Sequence, residues 1–353
     1  MSSAGSKDQS INHIKEYYGK VLGGSHDLQT NACCTTETLA PHVAAAIENV
    51  HQEVKSKFYG CGSPIPLALE GCSVLDLGCG TGRDTYVASQ LVGAKGHVIG
   101  VDMTSEQLAV AREHLAWHTE RFDYPVSNVD FRQGFIEDLA SIGIPDASID
   151  VVLSNCVINL SPDKPRVFSE IFRVLKPGGE LIFSDVFASR RLAPEIATDP
   201  ILTAECLGGA LYTEDFRRML LRLGVPDYRV VCSRELAVNI SKIAQKLGCA
   251  KFYSNTIRCF KIDSLEDRCE DFGQACRYKG TIPNAPHAFT LDDHHTFENG
   301  AIIQVCGNTA AMLSETRLAE HFEHFGDTSV HLGLFECGSS APSDVKNAAL
   351  QCC

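Results

Sequence analysis

The chain has 353 residues, enough for two domains of average size, and its 44 acidic against 31 basic side chains give a formal net charge of −13. A surface that acidic has no general attraction for nucleic-acid phosphates or anionic membranes, so neither is expected as a partner. The start, MSSAGSKDQSINHIKEYYGK, has no apolar signal region, and no run approaches the ~18 apolar residues of a membrane span. The 16 cysteines are therefore expected as thiols in a reducing, cytoplasmic compartment, available for packing, redox work or soft-metal chemistry.

In chain order, apolar residues recur at helical spacing from Ile11 to Leu22. They do so again through Leu39, Val43, Ile47, Val50, Val54 and Phe58, which predicts a helical segment over residues 1–58. The linker YGCGSPIP (59–66) ends it with two glycines and two prolines. Strand-length runs then follow at Val74–Leu77, Gly96–Val101, Val129–Arg132, Ile149–Ser154 and Glu180–Ser184, with helical stretches near 83–92, 105–121 and 163–175 between them. Alternation on this scale predicts an α/β fold, a doubly wound parallel sheet, over residues 59–226. Beyond Pro226 the rhythm weakens, and 227–337 is read as a smaller α+β domain. Its expected strands are Tyr228–Val238, Asn255–Ile262 and Ala301–Cys306, with a helix over Leu313–Phe325. Residues 338–353 read as a tail ending in Cys352-Cys353.

Segment 74–86, VLDLGCGTGRDTY, is a strand feeding a loop with glycines at 78, 80 and 82 and then a helix. Glycine suits a turn where the backbone must approach a ligand closely. Arg83 stands where a dinucleotide fingerprint would need glycine, and no Walker lysine is present. Asp102, closing the second strand, can accept both hydroxyls of a ribose. Together with GFIED (134–138), DVVLSN (150–155) and LKPGG (175–179), the pattern resembles the class I S-adenosylmethionine methyltransferases, with a Rossmann-like core.

The chain holds no HExxH, no GxSxG and no CxxC pair with zinc-finger spacing. Nor does a conspicuous His–Asp base offer itself, and His294-His295 could ligate a metal but reads more readily as an exposed loop pair. Methyl transfer to a hydroxyl or an acidic carbon needs a placed base, whereas transfer to a soft lone pair needs only alignment. Cys156, in SNCVINL, lies at the carboxyl end of the fourth strand, where ligands of such sheets bind. Cys61 sits in the YGCG linker, Cys206 in AECLGGALY (204–212) after the fifth strand, and Cys33 in DLQTNACCTT. Taken singly, each cysteine reads more readily as a small buried hydrophobe.

From about Ile14 to Ile262 the chain is similar to the arsenite S-adenosylmethionine methyltransferases, a resemblance carried by DLQTNACCTT, YGCGSPIP, RDTY, SNCVINL and AECLGGALY. It implies that Cys33, Cys61, Cys156 and Cys206 are the functional thiols. Cys156 and Cys206 would hold trivalent arsenic, with Cys61 completing the set and able to pair with Cys33. The segment 200–212 would fold back over the site. The resemblance implies S-adenosylmethionine as cofactor, held by Tyr59, Asp76, Gly78, Cys79, Gly80, Thr81, Gly82 and Arg83. Asp102, Met103 and Gln107 would follow after the second strand, Ile136 and Glu137 after the third, and Asn155 and Val157 after the fourth.

The substrate would be arsenite or its thiol conjugates, with thioredoxin or glutathione as reductant. Trivalent arsenic is soft and prefers thiolates, in a pyramid whose apex is a lone pair. Its binding displaces thiol protons and should strengthen as pH rises. Cys34 doubles Cys33, and Cys72 with Cys249 is read either as an accessory disulfide or as two packed thiols. Two rival readings are a quinone-type C-methyltransferase and a non-catalytic thiol-based metalloid-binding protein.

Overall fold

The computed structural model describes residue Ile11 and residues 14–18, 39–236 and 249–336. The chain divides into two compact units, Met1–Asp263 and Ser264–Cys353.

The first unit is built on one sheet. Its strands are β1 (Ser73–Leu77), β2 (His97–Asp102), β3 (Val129–Gln133), β4 (Ile149–Asn155), β5 (Leu175–Ala188), β6 (Leu211–Tyr212), β7 (Tyr228–Leu236) and β8 (Phe252–Phe260). They lie in the order β3-β2-β1-β4-β5-β8-β7, with β6 paired to β5. The first five strands are parallel, whereas β8 runs antiparallel to both β5 and β7. Strand residues alternate between two covered faces. Val74, Val151 and Ile182 pack with Val43 of helix α1 (Pro41–Glu48) and Val87 of helix α3 (Arg83–Val92). Their neighbours Leu75, Val152 and Phe183 pack on the opposite face with Phe168 of the helix Lys164–Val174 and Phe216 of the helix Thr213–Arg222. Burial on both faces is why these strands read as continuous apolar runs in the sequence.

Two predicted helices are each divided. The first breaks at Asn49–His51 into α1 and α2 (Gln52–Ser56), where the His51 ring caps the second piece by accepting from the Glu53 N–H. The second breaks at His114 into Ser105–Glu113 and Leu115–Arg121. The expected boundary at 226 is also corrected. Strands β7 and β8 complete the main sheet, so the first unit continues to Asp263.

Among the described residues, the second unit holds a three-stranded sheet of Ala275–Tyr278, Ile302–Gln304 and Phe322–Phe325, two smaller strand pairs and a helix Gly307–Ser314. Its core joins Tyr278, Phe289, Phe297 and Phe322, with ring centroids 5.2–6.0 Å apart. The helix expected over Leu313–Phe325 is thus the end of one helix, a single 3-10 turn and a strand.

One ion pair of the main sheet is wholly enclosed. Glu180 on β5 accepts from the Arg258 guanidinium on β8 at 2.5 Å, and their side chains are 0% and 4% exposed. Removing one partner strands the other charge in a low dielectric. Glu180→Ala is expected to cost about 3–5 kcal/mol of stability, read as a lowered midpoint in urea unfolding.

Candidate active site

The chain leaves β1 outward to β2 and β3, then crosses back to β4 on the other side of β1. Between the carboxyl ends of β1 and β4, at this switch point, lies the crevice where such sheets bind ligands. It is a cleft of about 1050 Å³ including its open mouth, the size of a small-molecule site. Every cofactor position expected from the sequence lines it except Gly82, whose left-handed φ of 89° starts helix α3 instead. Gly78, with φ 68°, turns the chain where a Cβ would collide with Val157.

Asp102 is fixed from two sides. Its Oδ2 accepts from the Gly80 N–H at 2.9 Å and its Oδ1 from the Thr104 N–H at 2.8 Å. Each oxygen keeps one lone-pair direction, enough for the two hydroxyls of a ribose. Gln107 donates through Nε2 to the Tyr18 carbonyl at 2.8 Å, while its buried Oε1 has no partner among the described groups. An orphaned acceptor on the cleft wall fits a ligand bearing amine or hydroxyl donors, as an adenosyl amino acid does.

Two expected cofactor residues prove committed to protein. Asn155 Oδ1 accepts from the N–H groups of Cys61 and Gly62 at 3.1 and 3.3 Å, and its amide donates to the Gly62 carbonyl and Asp84, each at 2.9 Å. Its role is to staple the cysteine-bearing linker to the strand end. The Arg83 guanidinium stacks 3.0 Å over the Phe58 ring and pairs with Asp84 at 2.6 Å.

Asp76, 2% exposed, has its carboxyl pushed up to about 7 by burial and by the neighbouring charge of Asp84. A cationic ligand favours the ionised form, so binding one near pH 7 releases a proton. S-adenosylmethionine affinity is expected to rise from about pH 6 to about pH 8, with Asp76→Asn flattening the dependence in calorimetric titrations. The unliganded fold behaves oppositely. The raised folded-state pKa gives Asp76 a stabilising contribution at low pH that is lost as pH rises through about 7.

The cysteines converge beside this cleft. Cys156 lines it and is joined to Cys61 by a disulfide, with Cα atoms 5.8 Å apart. The Cys206 thiol donates to the Cys156 carbonyl at 3.2 Å. Cys61, Cys156 and Cys206 are 1%, 3% and 0% exposed. Both Cys156 (φ 57°) and Cys206 (φ 66°) adopt left-handed backbone, which ordinary residues hold only where the surroundings impose it. For Cys206 the imposing element is the loop that follows, which runs so close to Asn159 that a Cβ at Gly209 would strike its carbonyl.

Asp185 of β5, unremarked in the sequence, places a carboxylate oxygen within 4.8 Å of both the Cys61 and Cys156 sulfurs. It accepts from the N–H groups of Asn159 and Val186, and burial raises its carboxyl to about 7. Cys61 is joined to Cys156 in this structure, whereas its expected pairing is with Cys33. Cys33 and Cys34 lie outside the described residues, as does the terminal cysteine pair. Cys72 and Cys249 are not joined, the first being buried and the second exposed.

The switch-point cleft, the glycine loop and the clamped Asp102 define a class I S-adenosylmethionine-dependent methyltransferase, and residues 68–224 match the family model described as a methyltransferase domain. Residues 273–346 match the model for the arsenite methyltransferase C-terminal domain. Over 344 residues the chain is 54% identical to an arsenite methyltransferase of Aquipseudomonas alcaligenes, covering 96% of this chain and 99% of that one. It is 45% identical over 312 residues to that of Homo sapiens, covering 88% and 82%. The crystal structure of an arsenic(III) S-adenosylmethionine methyltransferase from Chlamydomonas reinhardtii superposes with a TM-score of 0.82 at 50% identity, covering 85% of this chain and all of that one. The chain belongs to the arsenite methyltransferase family.

Proposed function

We propose that the protein methylates trivalent arsenic, held as a thiolate complex by Cys61, Cys156 and Cys206, at the expense of S-adenosylmethionine. The observation that carries this reading is the meeting of three buried cysteines, of which Cys156 lines a cleft suited to an adenosyl ligand. When bound, the cofactor supplies an electrophilic methyl group on a sulfonium. Asp102 and the glycine loop fix its nucleoside end, and the acidic pair Asp76 and Asp84 favours its positive charge. The three thiolates take up arsenic on one side, so its lone pair points away from them and toward the cleft. No proton need leave the accepting atom, and alignment carries the reaction.

Methylation formally oxidises arsenic from the trivalent to the pentavalent state. Two thiolates return it to the trivalent state by giving up two electrons and forming a disulfide, and the Cys61–Cys156 bond supports that pair in this role. Cys33 then attacks this disulfide and passes the oxidation outward to thioredoxin or glutathione, which restores the thiols for another cycle in the cytoplasm. A Cys33→Ser protein is expected to complete one methylation and stall before the next. Multiple methylations at the wild-type rate by that variant would remove Cys33 from the scheme.

The ligand set is tested by arsenic X-ray absorption on the reduced protein with arsenite. Three sulfur neighbours are expected in the wild type and two in Cys206→Ser. An oxygen-only shell in the wild type would overturn the proposal. A quinone-type C-methyltransferase, by contrast, would tolerate serine at Cys156 and Cys206.

A further inference from the structure

Residues 14–18 touch both halves of the site. On one side, Ile14 and Tyr18 line the cofactor cleft, and the Tyr18 carbonyl accepts from Gln107 on the cleft wall at 2.8 Å. On the other side, the Tyr17 hydroxyl donates to Glu205 Oε1 at 2.8 Å, and the Tyr18 hydroxyl donates to the Ala204 carbonyl at 2.8 Å. The Tyr18 ring also meets the edge of Tyr59, centroids 5.6 Å apart, two residues before Cys61. Glu205 directly precedes Cys206 and is 0% exposed; Tyr17 is 6% exposed. A carboxylate buried that deeply is held by its hydrogen bonds, and one from a phenol on another segment fixes where its backbone lies. Cys206 already holds an imposed left-handed φ of 66°, so a shift of Glu205 moves the thiol.

We infer that Tyr17 and Glu205 are positioning residues that couple the cofactor cleft to the arsenic thiols. A ligand that packs against Ile14 and Tyr18 orders this segment, and the Tyr17–Glu205 bond transmits that order to Cys206. Linkage makes the effect reciprocal, so cofactor and arsenic each tighten the binding of the other. The inference rests on the proposed arsenic site and adds to it a dependence between the two ligands. A merely structural contact would lower stability without altering that dependence.

The test uses the reduced full chain and measures arsenite affinity with and without saturating S-adenosylhomocysteine. In the wild type the ligand is expected to tighten arsenite binding about 5-fold or more. Tyr17→Phe, which removes one oxygen, should bring the ratio to about 1, whereas Glu205→Gln, which keeps the acceptor, should retain it. A wild-type ratio in folded Tyr17→Phe overturns the inference. On the unaltered chain, hydrogen exchange across residues 200–210 should slow when S-adenosylhomocysteine binds, and unchanged exchange counts against the coupling. A wild type that binds S-adenosylhomocysteine but no arsenite refutes the arsenic site itself, and is distinguished by the absent affinity rather than an altered ratio.

Discussion

Replacing Cys206 with serine is expected to lower arsenic methylation on the order of 10²-fold or more while leaving S-adenosylmethionine affinity within about twofold. Cys206 is not among the residues that line the cleft, and its thiol contacts a backbone carbonyl, that of Cys156, so the nucleoside site keeps its shape. A serine hydroxyl is a hard, protonated donor at neutral pH and a poor ligand for a soft metalloid. Two thiolates would still capture arsenic, but the lone pair would no longer have one direction, and a misplacement of about 1 Å is enough for a loss of this size. The split between turnover and cofactor binding, read by single-turnover kinetics and calorimetry, separates a lost ligand from a damaged fold. Equal loss of both would indicate the latter.

Asp102→Ala should have the opposite signature, a large rise in the cofactor concentration needed for half-saturation. The carboxylate makes two bonds to its own loop, from Gly80 and Thr104, before it meets any ligand. Hydrogen bonds to a charged group contribute about 1.5–3 kcal/mol each, so losing the ligand-facing pair alone corresponds to roughly 10²-fold or more in affinity. The glycine loop loses its anchor as well. Asp102→Asn is expected to be nearly as harmful, because an amide nitrogen would face one of the two N–H donors. Arsenite binding to the reduced thiols should survive either change, which cofactor-independent titration would show.

The nucleotide half of the site was legible because its signals are local. A buried parallel strand, a glycine turn and an acidic strand end occupy adjacent positions, and VLDLGCGTG shows all but the last in one segment. The thiol half is assembled from segments about 50 to 145 residues apart (61, 156 and 206), and their meeting depends on strand order and on a loop folding back. Only family resemblance placed those cysteines together, and it could not give the pairing observed between Cys61 and Cys156.

Asp185 is hard to single out in the sequence because it stands within a strand buried almost throughout. The available signal was a lone acid in FSDVF at the carboxyl end of β5, level with the other site residues. The boundary at 226 was misplaced for a related reason. β8 pairs antiparallel with both β5 and β7, so the change of rhythm marks the end of the parallel run and not the end of the sheet. In the second unit, Leu313, Leu318 and Phe322 are all buried, yet they belong to a helix end, a turn and a strand. Their spacing imitates a single helical face.

The central claim is that methyl transfer and arsenic capture occur at one site. Its most direct test incubates the reduced protein with arsenite and methyl-labelled S-adenosylmethionine in the presence of a thiol reductant, then separates the arsenic species. Labelled methylated arsenic is expected from the wild type and should be lost in Cys156→Ser and Cys206→Ser. Folded, cofactor-binding protein that yields only unmethylated arsenite would contradict the account.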